Sequence, residues 1–221
     1  MKKTIKKVEK DLYDVMFLDI ETIANESAIK LIDDPKPAKN LVDPAKIAAD
    51  IAAKKQDIID HAPLDSDYGK IAAIGYAIGR TGEIVTNLVS KKNTEKSVLQ
   101  DFWIQYAIVH GKSAGYNIIS FDLPFIMKRS FDLGVRPSVL PNLGKYRSDP
   151  TTDLFMLLCN WNYMQGHKFK FICKRYGIKV EAEGMDGSQV KDMSPEELRV
   201  YLHSDVAATR ELYYRMEGYY F

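Results

Sequence analysis

Two acidic side chains follow a short apolar run near the start of this 221-residue sequence. The run from Val15 to Leu18 is typical of a buried strand, and it leads directly into Asp19 and Glu21. Because successive side chains of a strand point to opposite faces, this spacing puts both carboxylates on one face. The alternative is a strand that simply reaches the surface here, with both acids in solvent.

A third acid stands inside the apolar stripe of a predicted helix. The segment Ser194–Glu197 has a capping-box pattern with proline at the first helical position, which predicts a helix start. The apolar stripe of this helix is formed by Leu198, Tyr201, Ala208 and Leu212. Asp205 occupies the same stripe, and a buried acid is unfavourable unless it meets a cation. That cation is either a metal ion or a basic side chain such as Lys174 or Arg175.

A fourth acid opens another predicted helix. A predicted strand delivers Asn117 to a loop, and Asp122 follows among apolar neighbours. Taken alone, Asp122 is explained as a helix N-cap, a position that aspartate favours.

Four carboxylates from three separate elements could meet at one place. Their charges would repel one another and raise some of their pKa values, and divalent cations would remove that conflict. Carboxylate oxygens suit Mg²⁺ or Mn²⁺, and two such ions about 3.5–4 Å apart can clamp a phosphoryl group during in-line displacement. The chemistry implied is hydrolysis of a phosphodiester bond.

The elements that must position these acids alternate in type along the chain. The pattern predicts strands over 15–18, 71–79, 84–89 and 113–117, and helices over 94–110, 122–133, 153–163, 167–176 and 194–216. This order predicts an α/β fold in which a mixed sheet is flanked by helices. Residues 24–68 are predicted to form a helical insert, because Asp43-Pro44 is a good helix start. A solvated excursion without a role is the alternative.

Composition excludes several classes of protein. The 31 basic and 30 acidic side chains give a net charge of +1, which excludes a polybasic protein that holds nucleic acid by bulk charge. Two cysteines provide neither a disulfide framework nor a cysteine-rich zinc cluster. The sequence has no apolar stretch of about 18 residues and no signal-peptide pattern. We therefore expect a cytoplasmic protein that does not interact with membranes.

Three motifs resemble those of the DEDD superfamily of 3′-5′ exonucleases. Phe17–Thr22 resembles the first motif, Asn117–Ile126 the second, and Tyr201-x-x-x-Asp205 the third. A tyrosine four residues before the last aspartate marks the tyrosine subtype (DEDDy), whereas His203 lies on another helix face and is not expected to take part. The similarity extends to the predicted exonucleases related to the proofreading domain of family B DNA polymerases. It rests there on His167–Lys170, Cys173–Ile178 and Met185–Val190, and covers nearly all of the chain outside the N-terminal tail and residues 24–68.

The resemblance implies a ribonuclease H-like fold and one exonuclease domain over residues 1–221. It implies hydrolysis at the 3′ end of single-stranded nucleic acid, with DNA favoured over RNA, and release of nucleoside 5′-monophosphates with two Mg²⁺ or Mn²⁺ ions. Asp19 would bridge both ions, Glu21 and Asp205 would bind the first and Asp122 the second, and Tyr201 would orient the attacking water.

Further residues are expected to contact the substrate. Thr22 and Asn117 would meet the terminal nucleotides, and Phe121, Leu123 and Phe125 would stack on the bases or, alternatively, pack in the core. The basic side chains that could follow the phosphates, or could form a solvated helix face, are Lys168, Lys170, Lys174 and Arg175.

Two other functions are compatible with the same acids. One is a ribonuclease H-like endonuclease with the same metals, and the other is a non-catalytic nucleic-acid-binding module of the same fold. The presence of all four acids and the tyrosine disfavours the second. Because no polymerase domain follows Phe221, we expect a free-standing exonuclease or a subunit that acts in trans with a polymerase or replication protein.

Overall fold

The architecture is a mixed five-stranded sheet with helices on both faces, seen in a computed structural model that describes residues 14–181, 184–185 and 187–221. The strands are β1 (Met16–Ala24), β2 (Gly69–Ile78), β3 (Ile84–Leu88), β4 (Ser113–Gly115) and β5 (Thr151–Asp153). Their order across the sheet is β3-β2-β1-β4-β5. The pairs β1/β2 and β2/β3 are antiparallel, whereas β4 runs parallel to both β1 and β5. The predicted α/β fold with a mixed sheet is confirmed.

Helices cover both faces of the sheet. They are α1 (Glu26–Ile29), α2 (Pro44–His61), α3 (Glu95–Ile108), α4 (Asp122–Asp132), α5 (Leu154–Leu158), α6 (Phe169–Tyr176) and α7 (Pro195–Met216), with 3₁₀ helices at Ala62–Leu64 and Gly187–Asp192. Helices α3 and α4 cover one face of the sheet, where they pack against Met16, Leu18 and Ile20 of β1. Helices α6 and α7 cover the other face, where Phe17 is buried. The alternation along β1 therefore assigns odd-numbered residues to the α7 side.

The segment after β4 differs from the sequence prediction. The predicted helix over 153–163 is too long, because residues 151–153 form the edge strand β5 and α5 spans only Leu154–Leu158. Asn160, Trp161 and Asn162 then adopt positive φ angles of 46°, 56° and 69°, which no α-helix can continue through. The predicted strand 113–117 also ends early, at Gly115, and Asn117 has a φ of 69°.

Residues 24–68 contain two helices and the first 3₁₀ helix. Asp43 caps α2 by accepting hydrogen bonds from the backbone N–H groups of Ala45 and Lys46, and no side chain of α2 is fully buried. The segment returns to the sheet where Thr22 Oγ1 donates to the carbonyl of Pro63 at 2.6 Å. None of the helices in the described part of the chain has the length and apolar character needed to cross a membrane.

Candidate active site

Three acids meet where β1 faces α7. One carboxylate oxygen from each of Asp19, Glu21 and Asp205 lies within 4.8 Å of the other two. Glu21 is 8% exposed and Asp205 is 7% exposed, whereas Asp19 is partly exposed. The odd-numbered face of β1 and the polar position in the stripe of α7 thus point to the same place, as the sequence pattern indicated.

A glycine allows α7 to lie this close to the sheet. Gly75 of β2 pairs with Asp19, and a Cβ atom at this position would stand 2.6 Å from Leu202 Cγ and 3.0 Å from Val206 Cγ2. Any larger residue would push the helix away from the sheet, because a 2.6 Å carbon contact is sterically excluded. Since Asp205 lies between Leu202 and Val206 in sequence, the glycine helps to bring its carboxylate to Asp19 and Glu21.

Helix α7 begins with the predicted capping box, in which Ser194 and Glu197 bond reciprocally. It carries Tyr201 one turn before Asp205, and Tyr201 is buried with a side-chain hydrogen bond to Asp205. The carboxylate oxygen Oδ1 of Asp205 is buried and has no hydrogen-bond partner among the described residues. His203 of the same helix is exposed and is not one of the residues whose ligand atoms come together.

Asp122 contacts the backbone of β1 next to the three acids. It is 3% exposed, and its Oδ1 accepts a hydrogen bond of 3.1 Å from the backbone N–H of Ile20, between Asp19 and Glu21. The N-cap position of α4 belongs to Phe121, so capping does not explain this acid. The charge of Asp122 is one of the causes that raise the pKa of Asp19.

The carboxyl groups have elevated pKa values because they are crowded and buried. Burial, followed by the charges of Asp122, Glu21 and Asp205, raises the pKa of Asp19 well above its ordinary value. Burial raises the pKa of Asp122 to about 7 against the opposing effect of backbone hydrogen bonds. Burial raises that of Asp205 to about 6, although the charge of Lys170 and the Tyr201 hydrogen bond lower it. These carboxylates therefore lack enough nearby positive charge to stabilise their ionised forms.

The donor set fits a divalent cation. All of the candidate ligands are carboxylate oxygens, which Mg²⁺ and Mn²⁺ prefer. A buried carboxylate oxygen without a partner, such as Asp205 Oδ1, is costly unless a cation or donor satisfies it. Neither Lys174 nor Arg175 takes that role, because Lys170 is the basic side chain whose charge acts on Asp205.

A second wall of the site comes from the 3₁₀ helix at Gly187–Asp192. A Cβ atom on Gly187 would lie 3.8 Å from Tyr201 Oη and 4.0 Å from Glu21 Oε2. Glu21 and Tyr201 therefore both lie beside Gly187. Gly187 belongs to the segment Met185–Val190, which resembles the polymerase-related exonucleases; Asp186 of this segment is outside the described residues.

The predicted substrate contacts are placed unequally. The Thr22 side chain is buried and its hydroxyl donates to Pro63, and Asn117 lies in the loop before α4. Phe121 is partly exposed at the start of α4, whereas Phe125 is 2% exposed and Leu123 is 0% exposed. The expectation that Phe125 and Leu123 contact bases is therefore corrected: both side chains pack in the core. The Phe125 ring lies so close to Gly69 that a Cβ atom at that glycine would be only 2.9 Å from Phe125 Cζ.

Basic side chains border the acids on the α6 side. The Lys170 ammonium lies 5.4 Å from the centroid of the Tyr201 ring and donates to the Met185 carbonyl. A cavity of about 730 Å³ between α6 and the segment that follows it is lined by three lysines and one acid: Lys170, Lys174, Lys179 and Glu181. Of the other predicted cations, Lys168 is the N-cap residue of α6, and the guanidinium of Arg175 lies 6.0 Å from the Tyr176 ring.

Sequence reasoning missed a fifth acid near the site. Asp153 is 1% exposed at the end of β5, and its charge raises the pKa of Asp122. The signal available in the sequence was the N-cap pattern of an aspartate directly before the apolar run Leu154–Leu158.

Comparisons with known proteins bear on the family and the fold of this chain. Residues 63–220 match a family described as a predicted 3′-5′ exonuclease related to the exonuclease domain of PolB. The structure of the family B DNA polymerase from the hyperthermophilic archaeon Pyrobaculum calidifontis is similar over 92% of this chain, with a TM-score of 0.61 and 14% sequence identity. This similarity concerns the fold, and the chain spans 24% of that polymerase. No curated relative matches the chain.

Proposed function

The chain belongs to the family of predicted 3′-5′ exonucleases related to the exonuclease domain of PolB, and from this membership we propose a mechanism and a substrate for its site. We propose a metal-dependent exonuclease that removes nucleoside 5′-monophosphates from the 3′ end of single-stranded nucleic acid, with DNA favoured. The observation that carries the proposal is the approach of Asp19, Glu21 and Asp205 to within 4.8 Å, with Asp122 bonded to the strand between them.

The four acids would hold two divalent cations. Asp19, Glu21 and Asp205 would hold one, and Asp122 would hold the second together with Asp19. When bound, these ions neutralise the carboxylates and stabilise the charge that develops on the phosphoryl oxygens during in-line displacement. The unpartnered Oδ1 of Asp205 and the elevated pKa values of Asp19, Asp122 and Asp205 support this assignment.

Tyr201 would position the attacking water. Its ring is buried on α7, and its hydroxyl lies beside Gly187, as does Glu21, and bonds to Asp205. A phenol keeps its proton at neutral pH, so this hydroxyl orients the water by hydrogen bonding and does not act as a base. This role corresponds to the tyrosine subtype.

The substrate strand would contact both ends of this group. Phe121, partly exposed beside Asp122, would stack on a terminal base without selecting its identity. The lysines of the α6 cavity, Lys170, Lys174 and Lys179, would bind backbone phosphates. The terminal nucleotide would be contacted by backbone groups at and next to Thr22 and Asn117.

We also propose that residues 1–221 form one exonuclease domain with a helical insert at 24–68. The insert contacts β1 through Pro63 and Thr22, close to the acids, which supports a role beside the site. A polymerase or another replication protein acting in trans is the proposed protein partner. The two described cysteines are free thiols, which supports the cytoplasm as the compartment.

The test compares matched DNA and RNA oligonucleotides labelled at the 5′ end, with Mg²⁺ present. We expect a ladder of products shortened from the 3′ end, formed faster on DNA. Asp19→Ala should abolish the ladder, whereas Asp101→Ala, on the exposed side of α3, should leave it unchanged. Binding of both strands without shortening would instead support the non-catalytic module.

A further inference from the structure

A buried acid outside the metal-binding group holds the loop that carries Asp122. We propose that Asp153 is a positioning residue for the proposed nuclease reaction: its carboxylate fixes the Asn117–Asp122 loop so that Asp122 stands against β1. The inference rests on the proposed function, because it concerns the geometry of the same site. Asp153 is the last residue of β5 and pairs with Gly115, the last residue of β4.

The Asp153 carboxylate spans two amides of the loop. Its Oδ1 accepts a hydrogen bond of 3.0 Å from the backbone N–H of Asn117, and its Oδ2 accepts one of 3.0 Å from that of Ile119. A further bond of 3.1 Å from the N–H of Met156 to Oδ1 caps α5. One carboxylate therefore joins the end of β5, the start of α5 and the loop after β4.

The hydrogen bonds of this loop begin at Asn117. Asn117 has a φ of 69°, in the left-handed region, which asparagine adopts more readily than most residues. The Asn117 carbonyl then accepts hydrogen bonds from the N–H groups of Ser120 and Phe121, and the Ile118 carbonyl accepts one from Leu123. The two bonds to the Asn117 carbonyl depend on the position of Asn117, whose N–H donates to Asp153.

The loop leads directly to the metal-binding group. Phe121, bonded to the Asn117 carbonyl, is adjacent to Asp122, whose Oδ1 accepts from Ile20 between Asp19 and Glu21. A shift of the loop would therefore move Asp122 relative to Asp19. Displacements of about 1 Å in a catalytic group lower turnover by as much as about 10²-fold.

Two substitutions separate positioning from helix capping. Asp153→Ser keeps one oxygen that can accept from Met156 and cap α5, but it is too short to bridge Asn117 and Ile119. Asp153→Asn keeps the shape of the side chain, but turns a donor toward one of the two loop N–H groups. The control is Asp43→Ser, because Asp43 caps α2 through Ala45 and Lys46 alone.

The measurements are turnover and KM on a 5′-labelled single strand, the Mg²⁺ concentration for half-maximal activity, and amide hydrogen exchange in metal-free protein. For both Asp153 variants we expect kcat to fall by about 10–100-fold with KM changed less than about twofold. We expect a higher Mg²⁺ midpoint, and faster exchange at Asn117 and Ile119 than in the wild type. Asp43→Ser should match the wild type in all four.

Each outcome decides the inference. If the wild type shortens the strand and both Asp153 variants keep its kcat and Mg²⁺ midpoint per folded molecule, the positioning role is wrong. A wild type that shortens no strand would refute the proposed function instead. In that case the positioning role is decided by two other measurements on the Asp153 variants: amide exchange at Asn117 and Ile119, and the rise in Tm caused by Mg²⁺. Variants with wild-type values for both would overturn the inference. If Asp153→Ser does not fold, the same measurements on Asp153→Asn decide.

Discussion

Neutralising Asp122 should stabilise the protein in the absence of divalent ions while removing its response to them. Burial raises the pKa of this carboxyl from its ordinary 3.8 to about 7, and the charge of Asp153 acts in the same direction. The ionised side chain is therefore unfavourable in the folded protein at neutral pH. Asp122→Asn removes the charge and keeps an oxygen that can accept the hydrogen bond from Ile20.

The magnitude follows from the shift in pKa. A difference of about 3 units corresponds to about 4 kcal/mol of unfavourable free energy in the folded state above pH 7. A neutral amide oxygen is a weaker acceptor than a carboxylate, which costs about 1 kcal/mol of the gain. We therefore expect Asp122→Asn to raise the free energy of unfolding by about 3 kcal/mol, and Tm by about 6–12 °C, at pH 8.

The effect has a defined pH dependence. Below pH 4 the Asp122 carboxyl is protonated in both the folded and the unfolded chain, so it does not affect stability. Between pH 4 and 7 only the unfolded chain releases the proton, so the stability of the wild type falls, and above pH 7 the difference is constant. The advantage of Asp122→Asn should accordingly shrink to about 1 kcal/mol or less at pH 5.

The assay is urea unfolding of chelator-treated protein at pH 5 and pH 8, repeated at pH 8 with excess Mg²⁺. Mg²⁺ should raise the stability of the wild type and have much less effect on Asp122→Asn. Asp101→Asn, an exposed carboxylate on α3, serves as the control and should not differ from the wild type. A metal-free Asp122→Asn protein that is less stable than the wild type at pH 8 would refute the idea of unrelieved charge repulsion.

Three other predictions concern the reaction itself. Tyr201→Phe should lower turnover by about 10²–10³-fold with near-normal affinity for a single-stranded 3′ end, as expected when one orienting hydrogen bond is lost; Tyr214→Phe, on the same helix, should be active. Asp205→Asn should lower turnover further, because an amide cannot replace a charged ligand, whereas His203→Ala should be active. An inactive His203→Ala together with a fully active Tyr201→Phe would show that the wrong face of α7 has been assigned to the site. Activity should require added Mg²⁺ or Mn²⁺ and should be inhibited by Ca²⁺, which binds at longer distances with looser geometry; undiminished hydrolysis in excess chelator would exclude metal dependence.

The features that sequence predicted well depend on local periodicity. The period of two along β1 put Asp19 and Glu21 on one face, and the capping box and stripe of α7 put Tyr201 and Asp205 on the side that faces the sheet. Both patterns are fixed by the geometry of a single element, so they can be read without knowledge of its neighbours. The resemblance to a family of predicted exonucleases was confirmed by the family match over residues 63–220.

The features that sequence did not predict depend on distant parts of the chain. β5 has three residues and forms a strand by pairing with Ser113, Ala114 and Gly115, and its short length gives no period to detect. The burial of Phe125 follows from its contact with Gly69, and the role of Asp153 follows from amides 34 and 36 residues away in sequence. Such contacts are set by the tertiary structure.

The most direct test of the central claim offers the protein two substrates in one reaction with Mg²⁺. One is a linear single strand labelled at its 5′ end, and the other is a covalently closed single-stranded circle of the same composition. We predict that the linear strand shortens stepwise from its 3′ end with release of nucleoside 5′-monophosphates, while the circle remains intact. Cutting of the circle at a comparable rate would contradict the exonuclease assignment and show that the four acids serve an endonuclease.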